Sequence, residues 1–140
     1  MAEIIQFDTG EKVFSLNEKV EVTFNPMDIA FLEELYSAAE ELDKRNSAFK
    51  DAAEKIDGKE VFDLARACNE EMREILDGIF DKPICADLFP SSYVMAIGDG
   101  FPVWANLLYA LVDKMDDSLS AEKGRAKERI RKYSAKYKRK

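Results

Sequence analysis

Few residues in this chain could perform catalysis. There is no histidine, so the commonest general base, metal ligand and member of a nucleophilic triad is missing. Cys68 and Cys85 are too far apart in the chain to form a Cys-x-x-Cys pair. The turn Gly98-Asp99-Gly100 has neither the spacing nor the lysine of a phosphate-binding loop. The sequence therefore offers no catalytic motif that can be recognised by its spacing.

The remaining candidates for a reactive site are two acidic groups and one thiol. Asp113, Asp116 and Asp117 lack the ligand spacing of an EF-hand and are typical of a solvated helix end. The glutamates of residues 70–74 fit the water-facing side of a helix. Cys85 has no histidine to activate it, so a structural role is expected. We therefore predict a protein that is not an enzyme and that needs neither a metal nor a cofactor.

The charge of the chain is divided between an acidic body and a basic end. Residues 121–140 contain ten Lys/Arg and two Asp/Glu, a net charge of +8, whereas residues 1–120 contain eleven and twenty-six, a net charge of −15. The acidic body should repel nucleic acids and anionic membranes. The residues best suited to contact a partner lie in the basic end: Arg129, Ile130, Lys132, Tyr133, Lys136 and Tyr137.

Three interpretations of the basic end remain open. Its tyrosines could stack on bases while the cations neutralise phosphates. The same residues could form a docking helix for an acidic protein surface, because Ile130, Tyr133 and Tyr137 would share one helical face. A solvated terminus that only adds solubility is the third interpretation. The second allows self-association, since the body of another copy is acidic.

The helix around which the fold is expected to form lies at residues 101–115. It is the most apolar run in the chain, holds the only tryptophan, Trp104, and is apolar over more than half of a helical wheel. The glycine turn before it and Pro102 in its first turn mark its start. It is shorter than the roughly 20 apolar residues that a membrane span needs. We expect a buried core helix.

Residues 3–24 favour short strands. Residues 3–7 precede a turn signal at residues 8–10, and residues 13–16 form a second apolar run. A third stretch alternates charged or polar with apolar residues, the pattern of a half-buried strand. Its inward-facing members are Val20, Val22 and Phe24. An antiparallel meander of two or three strands is predicted, and so small a sheet must pack on helices.

Two long helices are predicted next. Asn25 and Pro26 suit a helix start, and apolar positions recur at intervals of three and four as far as residue 56. These positions form a seam along one side of the helix, and Asn46 is its polar member. Asn46 either sets the pairing register of the two helices or is exposed where they diverge. A matching seam over residues 61–79 predicts a second helix and therefore an antiparallel hairpin.

The predicted fold class is α+β, mainly α: a small N-terminal antiparallel β-meander packed on a helical bundle with a long helical hairpin and a buried core helix. Residues 1–120 form a single globular domain, with the meander in residues 1–24 and the helices in residues 25–120. Residues 121–140 form a basic C-terminal tail or helix. The start of the chain lacks the basic and apolar regions of a secretory signal, so a cytoplasmic protein outside the secretory route is expected.

Five stretches that cover most of the chain carry a family resemblance: FDTGEKVFSLN, VEVTFNPMD, NEEMREILDGIF, DGFPVWANLLYALVDKM and RIRKYSAKYK. They resemble small proteins encoded in the tail-gene clusters of phages and prophages of Gram-positive bacteria. Within that group they are similar to tail assembly chaperones of long-tailed, non-contractile phages. The matching residues are structural and include no catalytic signature.

The resemblance implies a phage tail assembly chaperone that works as an adaptor in the cytoplasm of the host cell. Such an adaptor would bind the tape-measure protein, keep its long apolar helices soluble and help to recruit tail-tube protein subunits. It implies protein partners and no membrane contact, and it allows a homo-oligomer. The alternative, from the residues alone, is a small nucleic-acid-binding protein that acts through its basic C-terminal tail; the acidic body disfavours nucleic acid as a partner.

Overall fold

The structure, a computed structural model, describes the backbone of residues 1–137 and the side chains of residues 1–119 and 121. It is α+β and mainly helical, with an N-terminal antiparallel hairpin ahead of the helices, which confirms the predicted fold class. The elements in chain order are β1 (Lys12–Leu16), β2 (Val20–Phe24), α1 (Ile29–Ala53), α2 (Lys59–Phe80), α3 (Ile84–Leu88), β3 (Ile97–Gly98), β4 (Phe101–Pro102) and α4 (Val103–Tyr137).

Strands β1 and β2 form a two-stranded antiparallel sheet in which Lys12 lies opposite Phe24. The connection is tight, because Asn17 and Glu18 both adopt positive φ angles, of 52° and 58°. Two successive residues with positive φ give the turn a twist that matches the twist of the strands. Strand β2 alternates between buried and exposed residues as its sequence predicts, with the buried face toward the helices.

The sequence allows two or three strands, and the one at residues 3–7 is absent from the structure. All of residues 1–9 are exposed. The side-chain amide of Asn25 donates a hydrogen bond of 3.0 Å to the carbonyl of Thr9. This bond ties the chain that precedes β1 to the residue that follows β2, so the segment before it does not fold back along β1.

Aromatic side chains fix the hairpin on the helices. The Phe24 ring stacks on Phe14 of β1 and on Phe31 of α1, with both ring centroids at 4.5 Å. Phe80, at the end of α2, packs at a tilted angle 5.9 Å from Phe24. These contacts each add roughly 0.5–1.5 kcal/mol beyond the apolar area that they bury. One residue of β2 therefore connects both strands to both long helices.

The first long helix begins three residues later than predicted. Asp28 is its N-cap, and its Oδ1 accepts a hydrogen bond of 2.9 Å from the N–H of Ala30. Asn25, the predicted cap, instead accepts a bond of 2.8 Å from Met27 in a separate turn ahead of the helix. Both residue types cap helices well, so the choice between them depends on the position of β2. The helix also ends earlier than predicted, at Ala53.

Helices α1 and α2 pack along each other, and residues 54–58 connect them. The short connection makes them antiparallel, as predicted. Leu42 and Met72 are fully buried members of the core. Asn46 is only 8% exposed, so the interpretation that places it on a diverging, solvated part of the seam is wrong. Its role in setting the register stays a prediction.

Residues 84–97 predict two short helical turns split by Pro90. Only the first is a helix, α3; residues 91–96 form bends and turns, and the β3–β4 hairpin follows. Asp99 and Gly100 form its two-residue turn, with φ angles of 54° and 83°. The left-handed turn and the pairing of Ile97 with Pro102 set the direction in which α4 starts.

Helix α4 starts at Val103 and supplies a large part of the core. Its buried residues recur at helical intervals: Trp104, Ala105, Leu108, Leu111 and Met115. The predicted core helix is therefore present, two residues later than expected at its start. It continues without a break to Tyr137, so the core helix and residues 121–137 of the predicted basic tail share one helical backbone.

Candidate functional site

The six residues predicted to contact a partner lie in the last part of α4 and share one helical backbone. Their side chains are outside the described part of the structure: Arg129, Ile130, Lys132, Tyr133, Lys136 and Tyr137. Ile130, Tyr133 and Tyr137, at spacings of three and four residues, are the members predicted to share one face. The shared face thus stays a prediction, now placed on a helix that the structure does describe.

Burial along α4 falls toward the end of the part whose side chains are described. Met115 is the last buried residue in that part, Ser118 is half-buried, and Leu119 is 42% exposed. The acidic residues Asp113, Asp116 and Asp117 are exposed, as expected for a solvated helix face. Beyond them the sequence becomes strongly basic. One helix therefore connects the apolar core with the basic end of the chain, residues 121–140, which we call the basic segment.

An open apolar groove lies between β1 and the buried half of α4, and we call it the β1–α4 groove. Its volume is about 520 Å³, within the usual range for binding sites in proteins. The hairpin, the α3 region and α4 all contribute lining residues: Phe14, Ser15, Leu16, Asn17, Phe24, Leu88, Phe89, Val103, Asn106, Leu107, Ala110, Leu111 and Lys114. Most of these side chains are apolar, so the groove suits an apolar segment.

The polar residues that line the groove are Ser15, Asn17, Asn106 and Lys114. The Lys114 ammonium lies 5.8 Å from the centre of the Phe14 ring, a cation–π contact. Asn106 donates a hydrogen bond of 2.7 Å to the carbonyl of Gly98, which joins α4 to the β3–β4 hairpin. No acidic residue lines the groove within the described part of the chain. The groove thus combines an apolar floor with one positive charge.

The first seven residues, here called the N-terminal arm, are a second unusual feature. Ile4, Ile5 and Phe7 are 85%, 86% and 79% exposed. Single exposed apolar residues are ordinary, but three within four positions form a contiguous apolar stretch. The arm is anchored where it joins the fold, because Gly10 packs against Asn25 and donates its N–H to Asp8.

Polar residues of α2 hold the chain that forms one end of the groove. Arg73 donates a hydrogen bond of 2.8 Å to the carbonyl of Phe89, and Asp77 accepts one of 2.9 Å from the N–H of Cys85. Asn69 accepts one of 2.9 Å from the N–H of Val94. Sequence analysis missed these three residues, since polar positions next to the exposed glutamates of α2 resemble the rest of its solvated face.

Both cysteines are buried and free. Burial, together with the neighbouring carboxylate of Asp77 and its hydrogen bond, raises the pKa of Cys85 to about 12, and the charge of Arg73 partly offsets them. Burial, followed by the charge of Glu71, also raises the pKa of Cys68. A nucleophilic thiol needs the opposite shift, so both residues act as small apolar side chains in the core.

Among the described residues, no group of three or more Cys, Asp or Glu side chains is arranged so that it could hold a metal ion. No described helix has both the length and the apolar character that crossing a bilayer requires.

Fold and site together define a class: a mainly helical α+β domain with an open apolar groove and a long helix that carries a basic segment. Comparisons with protein-family models, with curated proteins and with solved structures found no match.

Proposed function

We propose that this protein is a phage tail assembly chaperone, an adaptor that binds the tape-measure protein and helps to recruit tail-tube protein subunits. The proposal starts from the five stretches that resemble this family. The structural observation that supports it is α4, which connects the apolar core and the basic segment in one helix. An adaptor of this kind needs a stable body and an exposed helix that a second protein can cover.

The length of α4 explains why a partner helix is a suitable ligand. A helix of 35 residues extends about 52 Å at 1.5 Å per residue. The core covers its first part, as far as Met115. A helix that is polar and highly charged over its remaining length gains little stability alone and is stabilised when a partner packs on it. Ile130, Tyr133 and Tyr137 are the apolar contacts that such a partner would cover.

The charge distribution favours a protein over a nucleic acid. The body carries −15 and the basic segment +8. Phosphates near the body would be repelled, whereas an acidic helical surface can approach the basic segment alone. Charge complementarity of this kind increases the association rate and selects the partner more than it increases affinity.

The test is co-expression with the tape-measure protein of the same tail-gene cluster. The full chain should increase the soluble fraction of that protein and co-purify with it. Deletion of residues 121–140 should abolish both effects while the melting temperature of the body changes little. Tyr133→Ala combined with Tyr137→Ala should reduce capture at least about tenfold without changing the net charge, the ratio that corresponds to about 1.4 kcal/mol.

A matched control is Tyr36→Ala, because Tyr36 is an exposed tyrosine that belongs to α1 and not to the basic segment. This variant should capture the tape-measure protein as well as the wild type does. Equal loss in both tyrosine variants would contradict the proposal. So would tight binding to random DNA that falls steeply with salt while tape-measure capture is unaffected by the deletion, because those results describe a nucleic-acid-binding protein.

Recruitment of the tail-tube protein requires a separate measurement. Immobilised tape-measure protein should retain the tail-tube protein only when this chain is also present. Retention that is unchanged without this chain would contradict the recruiting role and leave the solubilising role intact.

A further inference from the structure

We propose that the β1–α4 groove binds the N-terminal arm of a second copy of this chain, which adds as a β-strand to the outer edge of β1. The proposal does not depend on the proposed function, because it concerns the isolated chain and a different part of the molecule.

The arm has the sequence of a strand but pairs with no strand among the described residues. Ile4, Ile5 and Phe7 are β-branched or aromatic, the residue types enriched in strands. They are nevertheless almost fully exposed. Burial of apolar surface is worth roughly 25 cal/mol per Å², so covering even two of these large side chains gives a substantial driving force for association.

The structure offers an edge on which such a strand can form. Within the described residues, β1 pairs with β2 alone. Its outer edge therefore presents N–H and C=O groups that another strand can bind, the arrangement used when an extended peptide adds to a sheet. A two-stranded sheet is marginal in stability, and a third strand would strengthen it.

Alternate side chains of a strand point to opposite faces of a sheet, and this alternation lets one set of arm residues enter the groove. Ile5 and Phe7 are two positions apart, so they would point to one face of the sheet, whereas Ile4 and Gln6 would point to the other. Phe14 and Leu16, also two positions apart, line the groove from β1. An added strand can therefore place Ile5 and Phe7 in the groove and leave Ile4 and Gln6 outside it.

Local hydrogen bonds favour a second copy over the chain's own arm. Four residues separate Phe7 from Lys12, enough for a hairpin loop. However, the carbonyl of Thr9 is bound by Asn25, the residue that follows β2. A side chain at Gly10 would come within 2.5 Å of the Asn25 amide, so the two residues are tightly packed. This contact holds residues 9–10 beside the residue that follows β2, whereas the vacant edge is on the other side of β1.

The charges of the two surfaces are complementary. Glu3 and Asp8 flank the apolar residues of the arm. Lys114 lines the groove and Lys12 is the first residue of β1. A carboxylate therefore approaches a lysine whether the added strand is parallel or antiparallel. Two copies that exchange arms would form a two-fold dimer in which each groove is filled by the other chain.

Sedimentation velocity of the full chain tests the proposal. The wild type should show a concentration-dependent dimer, and Ile5→Asp combined with Phe7→Asp should weaken dimerisation at least about tenfold. Ile4→Asp combined with Gln6→Asp is the matched control, since it adds the same charge to the opposite face. The control should weaken dimerisation much less, and melting temperatures should stay close to that of the wild type.

The groove side is tested by Ala110→Arg, which fills the groove from an exposed position on α4. Its control is Ala67→Arg, at an exposed alanine on α2. Only the first should produce a monomer. Mixing an Ile5→Cys chain with an Ala110→Cys chain should give a disulfide between copies. The two native cysteines should not interfere, because both are buried.

Three results would overturn the proposal. One is a wild-type monomer at every accessible concentration, and another is equal weakening by the two paired aspartate variants. The third is a chain carrying both Ile5→Cys and Ala110→Cys that forms its disulfide only within itself, which would show that the arm fills its own groove. None of these results contradicts the capture of the tape-measure protein through residues 121–140, which is tested by its own experiment.

Discussion

The side chain of Asn69 and the backbone of Val94 form a buried link between α2 and the start of α4. Asn69 Oδ1 accepts a hydrogen bond of 2.9 Å from the Val94 N–H. The Val94 carbonyl in turn accepts one of 3.2 Å from the N–H of Trp104, in the first turn of α4. One amide side chain thereby connects the middle of α2 with the core helix, through a loop that has little regular structure of its own.

Asn69→Ala should destabilise the fold by about 1–3 kcal/mol, because the buried Val94 N–H would lose its partner and keep its desolvation cost. The measurement is the midpoint of denaturant unfolding with an unchanged slope. Glu70→Ala is the control, since Glu70 is the exposed neighbour and should change stability by less than about 0.5 kcal/mol. A loss for Asn69→Ala no larger than the control's would contradict this role.

Trp104 is 7% exposed, and Trp104→Ala should cost about 3–5 kcal/mol, the usual range for a buried large aromatic residue. Its Nε1 is buried without a hydrogen-bond partner among the described residues. Trp104→Phe removes that N–H and keeps much of the packing, so it should cost clearly less.

The check is a set of denaturant melts that includes Tyr109→Ala, at a half-exposed aromatic residue of the same helix. The wild-type tryptophan fluorescence should be that of a buried indole. A Trp104→Ala loss under about 1 kcal/mol, or emission typical of full exposure, would place this helix on the surface.

Cys85 should make stability fall at alkaline pH. Its pKa is raised from 9.0 to about 12 in the fold, chiefly by burial. Above pH 9 the unfolded thiol loses its proton while the folded thiol keeps it, so the free energy of unfolding decreases as pH rises. The slope from this group approaches roughly 1.4 kcal/mol per pH unit.

Unfolding by denaturant at pH 8 and pH 10.5 measures this effect. Cys85→Ala should lose less stability over that interval than the wild type does, because it has no thiol to titrate. Identical pH dependence in the two proteins would contradict the predicted shift. The thiol of Cys85 should also react with alkylating reagents only on unfolding, since it is fully buried.

Arg45 of α1 and Glu71 of α2 form an ion pair between the two long helices. Both side chains are partly exposed, at 37% and 58%. A double-mutant cycle with Arg45→Ala and Glu71→Ala should therefore give a coupling of only about 0.2–1 kcal/mol, reduced by added salt. A coupling above about 2 kcal/mol would show that the pair is far less solvated than its exposure indicates.

Periodicity predicted the long elements well. The alternation of β2, the seams of α1 and α2 and the apolar face of α4 depend on burial of one side of each element, which a local pattern records. Helix boundaries were predicted less well. Asn25 and Asp28 are both good caps, and only the placement of β2 beside α1 decides that Asp28 serves.

Of the two candidate sites, the sequence predicted the basic segment but not the β1–α4 groove. The basic segment is a matter of composition, so its charge was evident from residues 121–140. The β1–α4 groove could not be predicted, because its lining comes from three separate parts of the chain. The buried hydrogen bonds of Asn69, Arg73 and Asp77 were missed for a related reason, since each partner is a backbone group whose position depends on the packed loop.

The sequence by itself determined the class of fold, the acidic body, the basic segment and the lack of a recognisable catalytic motif, because these follow from composition and from patterns within single elements. The tertiary structure decided that residues 3–7 form no strand, that α4 carries the core and the basic segment on one backbone, and that a groove lies between β1 and α4. Those features depend on contacts between distant residues, such as Thr9 with Asn25. No local pattern encodes such contacts, because their free energy is gained only when the elements pack together.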